Sequence, residues 1–339
     1  MRFNMDFFDK LCAHTDPQTP LTYIDIGAMG GVSSYWKKLE KYCRMVAFEP
    51  DEREFSRLKI TGKAVTYLPY VLYHSSQPLR FYVSRDSGKS SVYPPNTAVL
   101  KDFPDAGRYE IVREVDFPKE KVKTLDEALQ GAGIKDADFI KIDTQGSELD
   151  ILKGAASSLN RLCGIELEVE FVPLYRGQAL FRDIDAFLDA HGFQLIDLRR
   201  ALWKRKSFTD YIGRGQLVFA DALYLRKAEI LLNALALETD QGAAAGKIAK
   251  AVVVAMVYRL ADYAADLLDK ALALGLISPS RHQQWQKYVR EEARSWGMSG
   301  LWARAWLAKA FNRCSEMVRP ASHLGWSDGD RFIGNVRNL

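Results

Sequence analysis

Cysteine is scarce. The 339 residues hold four, Cys12, Cys43, Cys163 and Cys314, and no two of them form a C-x-x-C pair. That spacing excludes a zinc ribbon and a disulfide framework, and it fits a reduced, cytoplasmic protein. Long apolar runs are missing too. The most apolar later run, 251–257, is only seven residues and is far too short to span a bilayer. The first residues, MRFNMDFFDKL, carry Asp6 and Asp9 where a secretory signal needs an unbroken apolar core. Charge of one sign is not in strong excess: the net is +4, and from 225 onward 16 Lys and Arg face 11 Asp and Glu. The remainder is therefore near neutral and lacks the basic stripe that a nucleic-acid enzyme needs beside its cleft. Also absent is the dinucleotide fingerprint G-x-G-x-x-G. It would need glycine at 27, 29 and 32, and Met29 and Val32 stand at the last two.

What is present is organised around 21–36, LTYIDIGAMGGVSSYW. Tyr23, Ile24 and Ile26 are strand formers, and Asp25 sits near the strand's end. Gly27, Gly30 and Gly31 let the backbone turn tightly and approach a ligand. A helix over 33–42 follows, with Ser33 or Ser34 as its cap. A second strand over 44–49 ends in Glu49, an acid placed to accept hydrogen bonds from ribose hydroxyls. The spacing then predicts a helix over 51–58, a strand over 65–72 and further strands over 79–84 and 109–117. The polar loop 86–96 between them is a candidate lid. Thr124 and Glu127 make a capping box for the next helix. Strand–helix alternation of this kind argues for a parallel, doubly wound sheet.

The second informative stretch is 136–155, DADFIKIDTQGSELDILKGA. A strand over 139–142 delivers Asp143 to its C-terminal end, where open α/β sheets place ligands. Gly146 permits a turn and Ser147 caps a helix. In CGIELEVEF, 163–171, Glu166, Glu168 and Glu170 alternate with Ile165, Leu167 and Val169. Three carboxylates on one face of a central strand are costly unless paired or wet. Either this is an edge strand, or the glutamates meet the basic cluster at 199–206, or Glu168 and Glu170 face a cleft beside Asp143 and Glu148. In the last case Asp143, Glu148, Glu168 and Glu170 are candidate general bases, and a divalent metal held by Asp143 and Glu168 is an alternative. His74, after the third strand, is a further candidate base. A helix over 181–190, strands over 193–198 and 216–225, and a charged connection between those strands complete this part.

DIGAMGG at 25–31, FEP at 48–50, KTLDEAL at 123–129, FIKIDTQGSELDILKGA at 139–155, ELEVEFVPLYRGQALF at 166–181 and HGFQLIDL at 191–198 together resemble the FkbM family of S-adenosylmethionine (SAM) dependent methyltransferases. The resemblance covers about 20–225. It implies an α/β, Rossmann-like class I methyltransferase fold: a seven-stranded, mostly parallel sheet with helices on both faces, whose last strand runs antiparallel. It also implies O-methyl transfer to a hydroxyl of a sugar, glycan or secondary metabolite. Asp25, Gly27, Ala28, Gly30 and Gly31 would then hold the methionine part of SAM, Glu49 the ribose, and Asp143 would lie at the reacting end of the fourth strand. Met29 stands where the family commonly has Asn.

The expected organisation is a helical lead-in over 1–20, the methyltransferase domain over 21–226 and an all-α extension over 227–339. The extension reads as helices at 227–238, 245–273, 279–295 and 299–318, with Met256, Leu260, Tyr263, Leu267 and Leu274 on one face. It carries no cofactor box and reads as a packing module, or one that joins copies of the chain or binds a protein partner. The rival to the enzyme is a non-catalytic methyltransferase fold acting through that helical tail.

Overall fold

The computed structural model describes residues 5–15, 19–27, 31–50, 55–56, 65–210 and 215–295, with positions 306, 311, 314 and 333 beyond them. Of the expected helices at 51–58 and 299–318 the described residues include 55–56 and 306, 311 and 314, all helical; the rest of both, the final twenty residues apart from 333, and positions 28–30 of the glycine turn lie outside the described residues.

The chain opens with helix α1 (Met5–Cys12), strand β1 (Leu21–Ile26), a single helical turn α2 (Ser34–Lys37), β2 (Cys43–Phe48) and β3 (Val65–Leu68). Short β4 (Val71–Leu72), β5 (Leu79–Ser84), α3 (Thr97–Leu100), β6 (Ile111–Phe117) and β7 (Val122–Lys123) follow. Then come α4 (Leu125–Gly131), β8 (Phe139–Ile142), α5 (Glu148–Lys153), α6 (Ala156–Leu159), β9 (Gly164–Glu170), α7 (Phe181–Ala190), β10 (Phe193–Trp203) and β11 (Gln216–Arg226). Four helices close the described chain: α8 (Ala228–Leu235), α9 (Gln241–Val257), α10 (Ala261–Ala273) and α11 (Pro279–Ser295).

Seven strands form the main sheet in the order β3-β2-β1-β8-β9-β11-β10. β11 runs against both neighbours, and the other strands run parallel to one another. This is the mixed, Rossmann-like sheet that the resemblance implies. Strand order reverses between β1 and β8, so the loops leaving those two strands diverge, and ligands bind at such a point. β9 lies between β8 and β11, which removes the edge-strand reading of its glutamates.

Alternation sorts the two faces. Ile24, Ile26, Val46, Phe48, Ile140, Ile142, Ile165, Leu167 and Val169 point to one side and pack with residues of α4, α5, α6 and α7. On the other side Tyr23, Met45, Phe139, Leu223 and Leu225 form one core with α1, α2 and the helices from α8 onward. The helices after β11 therefore cover a face of the sheet. Towards the C-terminal ends of the parallel strands that same face turns polar, and Tyr258 at the end of α9 reaches it.

Several elements depart from expectation for physical reasons. The strand expected over 65–72 is two, because Pro69 has no N–H for the ladder and β4 leaves to pair with β7. The helix expected over 33–42 is one turn, after which Leu39, Glu40 and Tyr42 bond to carbonyls three residues back. RRALW, read as connection, extends β10, and Arg199 is neutralised by an ion pair with Asp221 across the ladder. The helix expected over 245–273 breaks at Arg259, which adopts φ +57°, giving α9 and α10. The Thr124–Glu127 capping box forms with both its hydrogen bonds.

Candidate active site

Two loops meet at the switch point. Asp143 N–H donates to Ile26 O at 3.0 Å, so the backbone leaving β8 lies against the backbone leaving β1. Gly27 has φ +84°, and a Cβ there would stand 2.0 Å from Asp143 O. Glycine is needed on two counts, conformation and close approach. Replacing Gly27 by Ala is expected to cost about 2–4 kcal/mol of stability, read from denaturant unfolding. A loss below about 1 kcal/mol would show that the turn adapts.

From this junction a polar row crosses the sheet in register. Asp25 is level with Lys141, and Lys141 with Glu166. One step further, Glu168 is level with Asp221 and Asp221 with Arg199. The acids are not bare. Glu166 Oε2 accepts from the hydroxyls of Tyr35 at 2.6 Å and Tyr258 at 2.7 Å. Gln145, at φ +60°, points its amide nitrogen at Asp143 Oδ1 (3.0 Å) and Glu168 Oε1 (2.7 Å). Its amide oxygen accepts from Lys89 Nζ at 3.1 Å and the Tyr175 hydroxyl at 3.0 Å. With carboxylates on one side and donors on the other, the amide has one orientation that satisfies all four.

The four candidate carboxylates have distinct surroundings. Burial raises Asp143, but Lys141, the Gln145 amide and Lys89 outweigh it and hold Asp143 below the usual carboxylate range. Glu148 is pushed up to about 7, mainly by burial. Both its oxygens accept backbone N–H groups, Oε1 from Thr144 at 2.8 Å and Oε2 from Gly146 at 2.9 Å. Glu148 thus closes the turn that Ser147 was expected to cap; Ser147 makes no capping bond. Glu168 is raised by burial and by the charge of Asp143, and its Oε2 takes no hydrogen bond from the described residues. Glu170 is fully buried, with neither oxygen bonded among the described residues, and burial followed by the charges of Glu148 and Glu168 raises it well above the usual carboxylate range. Lys141 is held charged against its burial by Asp143, Asp25, Glu166 and Asp221.

A metal bridging Asp143 and Glu168 would need the place that the Gln145 amide holds. Among the described residues no group of three or more His, Cys, Asp or Glu is arranged to take a metal ion. Of the basic cluster at 199–206, Arg199 reaches the row, through Asp221. His74 is exposed and packs on Tyr73, outside the acid network.

A family model described as "Methyltransferase FkbM domain" matches residues 25–195. The chain belongs to the FkbM methyltransferase family. The curated 2-O-methyltransferase NoeI of Sinorhizobium fredii (strain NBRC 101917 / NGR234) is 23% identical over 165 residues, 48% of this chain and 68% of that protein. Two solved structures are similar at low TM-score. The precorrin-6y C5,15-methyltransferase of Geobacter metallireducens gives 0.32 at 15% identity, covering 65% of this chain and 86% of that one. A TehB-like SAM-dependent methyltransferase of Corynebacterium glutamicum gives 0.29 at 12%, covering 65% and 88%. Likenesses this loose carry no argument.

The FkbM match begins at Asp25 and ends inside β10, so β11 and the helical layer lie beyond it. Within the FkbM domain, Lys89, Lys141, Gln145 and Tyr175 escape a reading of the sequence. Lys141 had a usable signal: it sits two positions before Asp143 on a strand and so shares its face. Lys89 and Tyr175 come from loops about thirty residues or more away and carry none. No helix among the described residues is long and apolar enough to cross a membrane, and the four cysteines form no disulfide.

Proposed function

We propose that this chain is a SAM-dependent O-methyltransferase whose acceptor is a hydroxyl of a sugar, glycan or secondary metabolite. The observation that carries this reading is the meeting, at one switch point, of a glycine turn suited to a cofactor and a desolvated carboxylate suited to a base. On the cofactor side, Asp25 is buried, and its Oδ1 has no hydrogen-bond partner among the described residues. Gly27 leaves no room for a side chain, and Glu49, the residue after β2, is buried. These features fit SAM. Asp25, Gly27 and Gly31, with Ala28 and Gly30 between them, would hold its methionine part and Glu49 its ribose. Bound SAM supplies an electrophilic methyl group.

The chain's own residues supply the rest. A sugar hydroxyl is a poor nucleophile and needs its proton removed in the transition state. Glu168 is the best placed of the four acids to take it, on Oε2, because its raised pKa makes it a stronger base than Asp143. Glu148 is committed to backbone N–H groups and Glu170 is sealed in. Asp143 keeps a negative charge beside Glu168, and Gln145 holds the two apart. The name of the NoeI relative supports transfer to oxygen. The rival, a fold acting only through its tail, has less support, because α8 to α11 share the core of the sheet.

Calorimetric titration with SAM tests the reading. Wild-type protein is expected to bind saturably, and Glu49→Ala to bind about 10- to 100-fold more weakly, as loss of a charge-assisted hydrogen bond predicts. Transfer of labelled methyl from SAM to a panel of sugars then identifies the acceptor. Wild-type protein that fails to bind SAM would sink the proposal.

A further inference from the structure

The segment after the glycine turn cannot hold its own shape. α2 is four residues long, and Ser33 makes no side-chain capping bond to it. One isolated turn of helix is unstable, because its nucleation cost is not recovered by further bonds. Something outside the segment must fix it.

Two of its side chains reach out. Trp36 is fully buried, stacks on Tyr23 with ring centroids 4.6 Å apart, and donates from Nε1 to the Tyr258 hydroxyl at 3.1 Å. Tyr35 meets Tyr258 edge to face, with centroids 6.0 Å apart. The hydroxyls of Tyr35 and Tyr258 converge on one oxygen, Glu166 Oε2. Tyr23, beneath Trp36, donates to Asp25 Oδ2 at 3.0 Å. A single hydroxyl from the helical layer therefore ties together both halves of the site. Trp36, Tyr23 and Asp25 lead from it to the cofactor turn. Glu166 leads to β9, two residues before Glu168.

The backbone fixes where that hydroxyl stands. Tyr258 is the residue at which α9 ends, and the chain reverses at Arg259 with φ +57°. Towards its middle, α9 is fastened to the start of β8, where Lys247 and Lys250 meet Asp138. With that anchor, and with its ring packed on Phe139 at 5.4 Å between centroids, Tyr258 is set against the turn.

We infer that Tyr258 is a positioning residue for the cofactor turn, so that the helical layer beyond the FkbM match is part of the SAM-binding machinery. This rests on the SAM reading above. Tyr263 provides the comparison. It lies in the same layer and also gives one hydroxyl hydrogen bond, but to Arg226 O at the end of β11, at 2.5 Å.

The experiment is SAM calorimetry on full-length wild type, Tyr258→Phe and Tyr263→Phe, with thermal unfolding of each. Both variants are expected to unfold at lower temperature. Only Tyr258→Phe is expected to weaken SAM binding, by about tenfold, with KM for SAM rising while kcat holds. Should Tyr258→Phe not fold, Tyr35→Phe removes the partner hydroxyl on Glu166 and is expected to shift SAM affinity likewise. Unchanged SAM affinity in the folded variant, or equal weakening in Tyr263→Phe, overturns the inference. Wild type that does not bind SAM overturns the reading beneath it as well.

Discussion

Glu168→Gln is expected to lower kcat by about 10²- to 10⁴-fold, the span that general-base catalysis contributes, while SAM affinity stays within about twofold of wild type. The substitution keeps the shape and the acceptor oxygen that faces the Gln145 amide, and removes the capacity to take a proton. The pH profile carries the sharper test. Burial and the negative charge of Asp143 both raise Glu168, so wild-type kcat should climb with pH along a limb displaced above the ordinary carboxylate range. In Glu168→Gln that limb disappears. In Asp143→Asn the repelling charge is gone, Glu168 loses its proton more readily, and the limb moves to lower pH. A Glu168→Gln enzyme within about threefold of wild-type kcat would pass the role to another acid. Stopped-flow or steady-state rates with the acceptor from the sugar panel give all three profiles.

The sequence shows the sheet and the acid row more clearly than the wiring between them. Alternation in 163–171 puts three glutamates on one face of β9, and the position of Asp143 at the end of a parallel strand puts it beside them; both follow from the period of two. What separates the four acids does not follow from any pattern. Glu148 is taken up by backbone N–H groups because Gln145 and Gly146 turn with positive φ, and the direction of an amide is invisible in a string of letters. Lys89 reaches Gln145 from a segment 56 residues earlier, and nothing in DSGKSS announces its target. The helices after β11 pose the same difficulty. Their Ala- and Leu-rich faces predict burial, but an amphipathic stripe does not name the surface it meets. Here it meets the sheet, and the charges inside the stripe locate the contact.

Asp138→Ala is expected to cost about 3–5 kcal/mol, the usual penalty for stripping one partner from a buried ion pair. Asp138 is fully buried. Its Oδ1 accepts from Lys247 at 2.5 Å, and its Oδ2 accepts from Lys250 at 3.1 Å and from Thr22 N–H at 2.8 Å. Without the carboxylate, two ammonium groups from α9 and one backbone donor at the start of β1 lose their shared buried acceptor. Lys250 is itself almost wholly buried and has the least access to water as a substitute partner. The pH dependence has a definite sign. Burial raises Asp138, but Lys247 and Lys250 more than offset it, and the folded pKa lies below the unfolded value. The stabilisation is therefore complete above about pH 4, where the unfolded carboxyl is ionised. It fades as pH falls through the lowered folded pKa. The gap between wild type and Asp138→Ala should be full at pH 7 and narrow in acid. Denaturant unfolding at both pH values measures it, and proteolysis within 227–295 reports whether the helical layer leaves the sheet first. A gap below about 1 kcal/mol at pH 7 would mean that water already reaches the cluster. A full gap means that these charges fasten the helical layer to the sheet at the start of β8.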